Sequence, residues 1–151
     1  MASLTDTQQQ TLGAVLDALI PAHEGLGGAG SLGLGDAVAR EVDKMAGALE
    51  TLGTGLAALD AAAGDRGAPT FAALEEAART EALAAHAEAD PGFLPGLVFH
   101  TYIAYYQDPR VVAALGLEPR PPHPEGYAMA PSDLETLTAN VRTRPAFFRK
   151  A

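Results

Sequence analysis

The strongest constraint on the fold is a run of apolar residues spaced as on one face of a helix. They follow one another at alternating steps of four and three: Val38, Val42, Met45, Leu49, Leu52, Leu56 and Leu59. This apolar seam has heptad-like spacing, which predicts a helix with Asp36 as a plausible N-cap. Because the apolar phase continues through Gly53 and Gly55, we expect one long helix with a weak point near Gly53. Two helices broken at Gly53–Gly55 are the alternative.

The N-terminal segment predicts a first helix. Its apolar stripe comprises Leu12, Val15, Leu16, Leu19 and Ile20. Thr5 followed by Gln8 can form a capping box at its start, and Pro21 ends it. The glycine-rich segment 22–35 is then expected to be a flexible loop.

Further helices are predicted along the rest of the chain. Thr70 can cap a third helix that runs to about Ala87, and a fourth covers about 93–107. The fourth helix is apolar on more than one side, which is typical of a central helix or one that a partner covers. A short helix at 110–115 is expected to start with Asp108 or Pro109 and to stop at Gly116.

The last predicted helix begins near the C-terminus. Ser132 with Glu135 has the spacing of a capping box. Leu134, Leu137 and Val141 would form its buried stripe. Since no segment alternates like a strand, the fold class is all-α. We expect residues 1–151 to form a single-domain bundle of about five helices.

A proline-rich extended arm is predicted at residues 117–131. It contains five of the chain's 11 prolines: Pro119, Pro121, Pro122, Pro124 and Pro131. Proline fixes φ and lacks a backbone N–H, so the arm cannot be helix interior or central strand. We expect a polyproline-like segment on a surface. A small helical domain does not need such an arm to fold, so that surface is expected to belong partly to another protein.

Charge and hydropathy exclude several classes of partner. The net charge of −9 argues against nucleic acid and anionic membrane surfaces, which favour lysine and arginine. The longest apolar stretch, 93–106, is interrupted by Pro95 and is too short to span a bilayer. The N-terminal sequence shows neither a signal-peptide pattern nor a twin-arginine pair, so a cytoplasmic protein is expected.

No set of residues has the pattern of a catalytic, cofactor-binding or metal site. The chain lacks cysteine, and its four histidines form no HExxH-like motif. His23 with Glu24 is interpreted as a solvated loop pair, and His100 as a buried histidine hydrogen-bonded to a neighbour. The glycines at 25–30 follow a helix, unlike a dinucleotide fingerprint, which follows a strand. We therefore expect no catalytic, cofactor-binding or metal-ligating residue in this chain.

The tyrosines Tyr102, Tyr105 and Tyr106 have two interpretations. They could form the rim of a core with wet hydroxyl groups. They could also form an interface, since tyrosine is enriched where proteins meet. The neighbouring proline-rich arm favours the interface.

Three blocks of the sequence resemble a known family. The first, from Leu12 to Asp43, is similar to a helix that ends in Asp-x-x-Ile-Pro, followed by a glycine-rich loop and a second helix. The second is the Phe-x-x-Leu element Phe71–Leu74. The third is YYQDPRVVAALGLEPRPPHPEGY at 105–127. Together they resemble the small (gamma) subunit family typified by gluconate 2-dehydrogenase subunit 3.

The resemblance implies a non-catalytic accessory subunit. Such subunits accompany a large FAD-dependent dehydrogenase of the glucose–methanol–choline type, which oxidises a sugar or sugar acid and holds the FAD. They support maturation, stability or export of that partner. Because the N-terminal sequence lacks a twin-arginine pair, we expect stabilisation or maturation rather than export. The residues expected to contact the partner are Tyr102, Tyr105, Tyr106, Asp108, Arg120, Pro121, Pro122, Pro124, Gly126 and Tyr127.

Two alternatives remain open at this point. The chain could be a stand-alone ligand-binding protein or enzyme with a pocket among His100, Tyr102 and Tyr106. It could also be a structural module that self-associates through the apolar seam.

Overall fold

A computed structural model of the chain describes residues 3–118 and 132–144. Within these residues the structure is all-α, as predicted, with seven α-helices, one 3₁₀ turn and no strand. The helices are α1 (Asp6–Leu19), α2 (Gly35–Val42), α3 (Ala48–Gly64), α4 (Glu76–Ala89), α5 (Phe93–Gln107), α6 (Pro109–Ala114) and α7 (Leu134–Arg142). The chain divides into two compact units, Met1–Pro119 and Arg120–Ala151, and α7 belongs to the second.

Helix α1 begins and ends where the sequence predicts. The Thr5 hydroxyl accepts from the Gln8 backbone N–H at 3.3 Å, while the Gln8 side chain accepts from the Thr5 N–H at 2.9 Å. These reciprocal bonds are the expected capping box. The face with Leu12, Val15 and Leu16 is fully buried and forms the centre of the core.

The apolar seam is divided between two helices, and the break is not where either version of the prediction placed it. Helix α2 ends at Val42 and α3 begins at Ala48. Gly47 adopts a left-handed conformation with φ of 78°, which lets the chain change direction there. Leu34, rather than Asp36, is the N-cap of α2. The prediction of one helix across the seam was therefore wrong.

The seam residues still share one core on both sides of this break. Six of them are at most 7% exposed, and Met45, which lies in the break, is 53% exposed. A seam buried within its own chain has no continuous face to offer a second copy. The alternative of self-association through the seam is therefore not supported by the structure.

Two glycines of α3 allow neighbouring helices to pack closely against it. They do not form the weak point that was expected near Gly53. A Cβ added at Gly55 would overlap the ring of Phe93 in α5. The Gly53 carbonyl accepts a hydrogen bond of 3.0 Å from the Gln8 side chain of α1. Helix α3 continues unbroken through both residues because neighbouring helices approach it where it has no side chains.

The predicted third helix is also divided. Thr70 precedes only the 3₁₀ turn Phe71–Ala73 and its side chain caps nothing, while α4 begins later, at Glu76. The extended backbone at Leu74 separates the two pieces. The turn lets the fully buried Phe71 ring enter the core.

One carboxylate holds this turn in place. Asp60 Oδ1 accepts from the Thr11 hydroxyl at 2.7 Å and from the Phe71 backbone N–H at 2.9 Å. Through these bonds Asp60 joins α3 to α1 and to the 3₁₀ turn.

Helices α5 and α6 match their predicted positions. Helix α5 spans Phe93–Gln107, and α6 follows with Pro109 as its first residue. Gly116 has φ of 73° just after α6 ends, as expected for a C-terminal glycine. The buried face of α5 comprises Phe93, Leu97, His100, Thr101, Ala104 and Tyr105.

Helix α7, in the second unit, differs from its prediction in two ways. Asp133, not Ser132, is the N-cap, and its side chain accepts from the Thr136 N–H at 3.1 Å. The stripe expected to be buried is exposed, with Leu134, Leu137 and Val141 at 64%, 69% and 57%. The division of the seam, and not these differences, adds a helix, and the described residues contain seven helices where about five were expected. Most of the proline-rich arm, residues 119–131, lies outside the described residues.

Candidate functional site

The most exposed aromatic surface in the described residues lies along α5. Phe99, Tyr102 and Tyr106 are 62%, 47% and 53% exposed. Their spacing of three and four residues places them on one face of the helix, away from its buried face. We refer to these three residues as the aromatic stripe. The rings of Tyr102 and Tyr106 are stacked, with centroids 5.9 Å apart and an interplanar angle of 9°.

The structure places the other predicted contact residues of this region differently. Tyr105 is only 9% exposed and packs edge-on against Tyr106, with centroids 5.3 Å apart. The Asp108 side chain is 11% exposed. Both therefore support the surface from beneath, and their contact with a partner stays a prediction. Phe99 was not among the predicted residues, although the i, i+3, i+7 spacing with Tyr102 and Tyr106 could have identified it.

Asp108 and Arg110 fix the end of α5 to the start of α6. The Asp108 carboxylate caps α6 by accepting from the Arg110 backbone N–H at 2.9 Å. It also pairs with the Arg110 guanidinium, whose Nη2 donates to Oδ2 at 2.7 Å. The hydrogen bond from the Arg110 side chain holds the pKa of Asp108 below its ordinary value, and the same bond raises the pKa of Arg110.

The Arg110 guanidinium also reaches the glycine-rich segment. Its Nη2 donates to the Leu32 carbonyl at 2.7 Å. One side chain thus joins α6 to the loop between α1 and α2. The contact therefore anchors the end of α5 that carries the C-terminal part of the aromatic stripe.

The glycine-rich segment is tied down in the structure, so its predicted flexibility was wrong. Asp17 accepts from the Ser31 backbone N–H and from the Ser31 hydroxyl, each at 2.9 Å. A Cβ added at Gly28 would overlap the Asp17 carboxylate, and one at Gly30 would overlap the Gly13 carbonyl oxygen. Glycine is needed here because the loop lies directly on α1. Asp17, the first residue of the Asp-x-x-Ile-Pro element, therefore holds the glycine-rich loop on α1.

A second feature is a cleft between the α2–α3 corner and the first half of α5. Its volume is about 580 Å³, and its walls include Val42, Met45, Leu52, Phe93, Leu97 and His100. The pocket expected among His100, Tyr102 and Tyr106 is therefore only partly right, because neither tyrosine lines this cleft.

His100 does not have the hydrogen bond that was expected of it. The residue is 8% exposed, and its buried Nδ1 has no hydrogen-bond partner in the described part of the chain. Its ring packs edge-on against Phe99, with centroids 5.4 Å apart. His100 thus lies between the cleft and the aromatic stripe.

The described residues offer little else that could support chemistry. In residues 3–118 and 132–144, no three histidine or carboxylate side chains are grouped so as to hold a metal ion. None of the helices in these ranges has the length and hydropathy of a membrane span. His23 Nε2 lies 3.5 Å from Glu24 Oε1, with both side chains more than 80% exposed, as expected of a solvated pair.

Six predicted contact residues cannot be placed on this surface. Arg120, Pro121, Pro122, Pro124, Gly126 and Tyr127 lie outside the described residues.

Comparison with known proteins gives one match. A family model described as gluconate 2-dehydrogenase subunit 3 matches residues 6–120 of the 151. The matched range includes α1 to α6, and therefore the glycine-rich loop, the cleft and the aromatic stripe. No curated protein and no solved structure matches the chain.

Proposed function

The chain belongs to the gluconate 2-dehydrogenase subunit 3 family, and from this membership we propose that it is an accessory subunit of an oxidoreductase complex. It binds a large FAD-dependent dehydrogenase of a sugar or sugar acid, and it stabilises or matures that partner. The FAD and the chemistry belong to the partner, while this chain supplies binding surface. The cytoplasmic location expected from the N-terminal sequence stays a prediction.

The observation that carries the proposal is the aromatic stripe on α5. Three large rings stand about half exposed or more on one helix face. Tyrosine and phenylalanine are enriched at the centres of protein interfaces, where a partner removes their apolar area from water. Tyrosine is also cheap to immobilise, having two side-chain torsions and a hydroxyl that can hydrogen-bond at the rim.

The surroundings of the stripe support binding without large rearrangement. The stacking of Tyr102 on Tyr106 orders both rings before a partner arrives. Tyr105 packs beneath Tyr106, and the Asp108–Arg110 pair anchors the helix end. A surface that is already ordered loses less conformational entropy on association.

The proline-rich arm is proposed as a second part of the interface. The chain continues from α6, which directly follows the stripe-bearing helix, into residues 117–131. Proline-rich segments suit recognition because their extended backbone carbonyls remain free to accept hydrogen bonds. Arg120, Pro121, Pro122, Pro124, Gly126 and Tyr127 are the residues proposed for this contact.

Co-expression with a flavin-dependent dehydrogenase of a sugar or sugar acid tests the proposal. We expect the two proteins to co-purify and the dehydrogenase to retain more FAD and survive heating longer with the subunit than without it. No co-purification, with unchanged FAD content, would contradict the accessory role.

Variants of the stripe then test its part in a complex. Phe99→Ser with Tyr102→Ser and Tyr106→Ser is expected to weaken binding by tenfold or more, as loss of interface aromatics commonly does. Replacing both tyrosines by Phe keeps the rings and should cost far less. Glu81→Ser, on the exposed side of α4, is the control for a surface change elsewhere. Equal affinity for the triple variant and the control would remove the stripe from the interface.

The arm is tested separately in the same complex. Tyr127→Ala and deletion of residues 120–125 should each weaken binding while leaving the melting temperature of the isolated subunit unchanged. If both variants bind as tightly as the unaltered chain, the arm is not part of the contact.

A further inference from the structure

The second unit carries a helix whose apolar side chains are uncovered. No residue of α7 (Leu134–Arg142) is buried. Leu137 and Leu134, 69% and 64% exposed, are the most exposed large apolar side chains in residues 3–118 and 132–144, and Val141 is 57% exposed. Single apolar residues are ordinary on a protein surface, but three on one helix face form a patch that marks a contact site. We refer to these three residues as the α7 stripe.

The α7 stripe has the spacing of a helix-pairing seam. Its members lie at i, i+3 and i+7, which are successive a, d and a positions of a heptad and face the same partner helix. At 1.5 Å per residue the stripe is a straight ridge of about 10 Å. A ridge packs into the groove between the side chains of another helix, whereas small molecules need a concave pocket. The shape therefore favours a second helix as the occupant.

The length of α7 is a second sign that something covers it. The helix has nine residues, and isolated helices shorter than about 12–15 residues are marginal in water. Asp133 caps it by accepting from the Thr136 N–H at 3.1 Å, but one cap offsets only part of the cost of ordering the chain. Most helices in proteins are stabilised by burying an apolar face. Burial of the α7 stripe would supply that contribution.

Charge is distributed along α7 so that the helix is complementary to itself. Glu135 lies in its first turn and Arg142 in its last turn. Asp133 at the N-cap and Arg144 just beyond the C-cap continue this pattern. In an antiparallel pair the acidic end of each helix lies beside the basic end of the other, and the helix dipoles are also opposed. A two-fold contact requires such self-complementarity, because the same patch serves both copies.

Other occupants fit the α7 stripe less well. Helices that lie on membranes are rich in lysine and arginine on their polar face, whereas α7 has one basic residue, Arg142, balanced by Glu135, in a chain of net charge −9. A lipid surface is therefore disfavoured. The interface proposed for the dehydrogenase is built on aromatic rings, which are enriched among the anchors of such contacts, and α7 has no aromatic residue. A second copy of the chain is the occupant that the charges of α7 favour.

We propose that α7 pairs antiparallel with α7 of a second copy of this chain, with the two stripes facing each other about a two-fold axis near Leu137. Standard protein interfaces bury about 1,200–2,000 Å², more than one pair of nine-residue helices is expected to bury, so the dimer is weak, with a dissociation constant in the micromolar to millimolar range. The contact uses none of the residues proposed to bind a dehydrogenase and does not depend on that proposal.

Sedimentation equilibrium of the full chain measures the association. We expect the mass to rise from 15.5 kDa toward twice that value as the protein concentration approaches about 1 mM. Leu134→Ser with Leu137→Ser should remain a monomer throughout, because the apolar ridge is lost. Leu115→Ser with Leu117→Ser changes two leucines of similar exposure in the first unit and is the matched control. The control should associate like the unaltered chain.

Charge reversal separates loss of the contact from loss of the helix. Arg142→Glu with Arg144→Glu makes both ends of α7 acidic, and Ser132→Lys with Glu135→Lys makes both ends basic. Each double variant should self-associate about tenfold more weakly than the unaltered chain, because like charges then face each other. An equimolar mixture of the two should form a mixed dimer, since opposite charges meet again. Variants in which α7 had only unfolded would not regain the contact on mixing.

Several results would overturn the proposal. A chain that stays monomeric at about 1 mM would do so, as would a dimer that the two serine substitutions in α7 leave unchanged. Absence of the mixed dimer, or unchanged self-association of the acidic variant, would contradict the antiparallel pairing. If the chain is monomeric and α7 resists hydrogen exchange only with the dehydrogenase or with phosphatidylglycerol vesicles, the α7 stripe belongs to that partner instead.

Discussion

Arg110 folds back onto Asp108 two residues earlier, and its guanidinium meets the carboxylate through both Nε and Nη2, at 2.9 and 2.7 Å. The pair lies where α5 ends and α6 begins. The carboxylate also caps α6, so one side chain makes both the ion pair and the helix cap at this junction. Its contribution to folding must depend on the charge of Asp108.

The first prediction concerns the acid dependence of this contribution. The pKa of Asp108 in the folded chain is lowered from its ordinary value of 3.8. Its contribution to stability is therefore fully present above that value and is lost as the pH falls through the folded pKa. Asp108→Asn, which keeps a capping side chain, should lower the free energy of unfolding at pH 7 and have a smaller effect as the pH falls below about 4.

Urea unfolding of both proteins at pH 7 and pH 3 measures this difference. Asp65→Asn, at the exposed end of α3, is the control for loss of a surface charge. A difference between Asp108→Asn and the unaltered chain that is the same at both pH values would show that the charge of Asp108 is not what stabilises the helix junction.

The second prediction concerns Asp60, which joins α3 to α1 and to the 3₁₀ turn. Asp60→Ala removes two hydrogen bonds and leaves the fully buried Thr11 hydroxyl without its acceptor. We expect a loss of about 2–3 kcal/mol in the free energy of unfolding. Chemical denaturation of Asp60→Ala, Thr11→Val and the double variant measures the coupling. In the Asp60→Ala background, Thr11→Val should cost almost nothing, so additive losses would contradict the bond between them.

The third prediction compares the stability cost of adding a methyl group at a closely packed glycine, Gly30, and at an open one, Gly64. Gly30→Ala should destabilise the fold by about 1–3 kcal/mol, because its Cβ would overlap the Gly13 carbonyl oxygen. Gly64→Ala, at an open helical position, should be neutral or stabilising by up to about 1 kcal/mol. Thermal melts of the two variants decide the matter. Similar melting temperatures for both would mean that the loop does not pack on α1 as described.

The fourth prediction concerns His100 and stability alone. His100→Leu replaces a buried ring that has an unpartnered nitrogen with an apolar side chain of similar volume. We expect the free energy of unfolding to rise by about 1 kcal/mol. Urea unfolding at pH 7 in the absence of any ligand is the measurement. A loss of more than about 1 kcal/mol would show that His100 makes a stabilising contact that outweighs its missing bond.

The sequence predicted best those elements whose signals are local. The capping box of Thr5 and Gln8, Pro109 at the start of α6 and Gly116 after its end all work within one turn of backbone. Such signals do not depend on the rest of the fold. The positions of α1 and α6 followed from them.

Local signals of this kind could not locate the break in the apolar seam. Gly47, Gly53 and Gly55 look alike in the sequence, and each weakens a helix to a similar extent. Gly55 stays helical because Phe93 packs on it, whereas Gly47 takes a positive φ where the chain turns. The distinction lies in contacts with another helix, which a local pattern does not contain.

The candidate sites show the same contrast between local sequence signals and contacts between helices. The exposed tyrosines of α5 were identified from composition, but selecting Tyr105 rather than Phe99 ignored the helical period. The cleft is formed by residues from three helices, and the missing bond of His100 depends on what does not reach its ring. Only the assembled packing could show either.

The contact between His100 and Phe99 has a consequence for how the two surfaces behave together. One ring lines the cleft and the other stands on the aromatic stripe, with their centroids 5.4 Å apart. Displacement of the first ring would therefore change the packing available to the second. Thermodynamic linkage requires reciprocity: whatever factor displacement of His100 imposes on binding at the stripe, binding at the stripe imposes on the equilibrium for that displacement. A single pair of ring contacts can thus couple the two sides of α5 without movement of a helix.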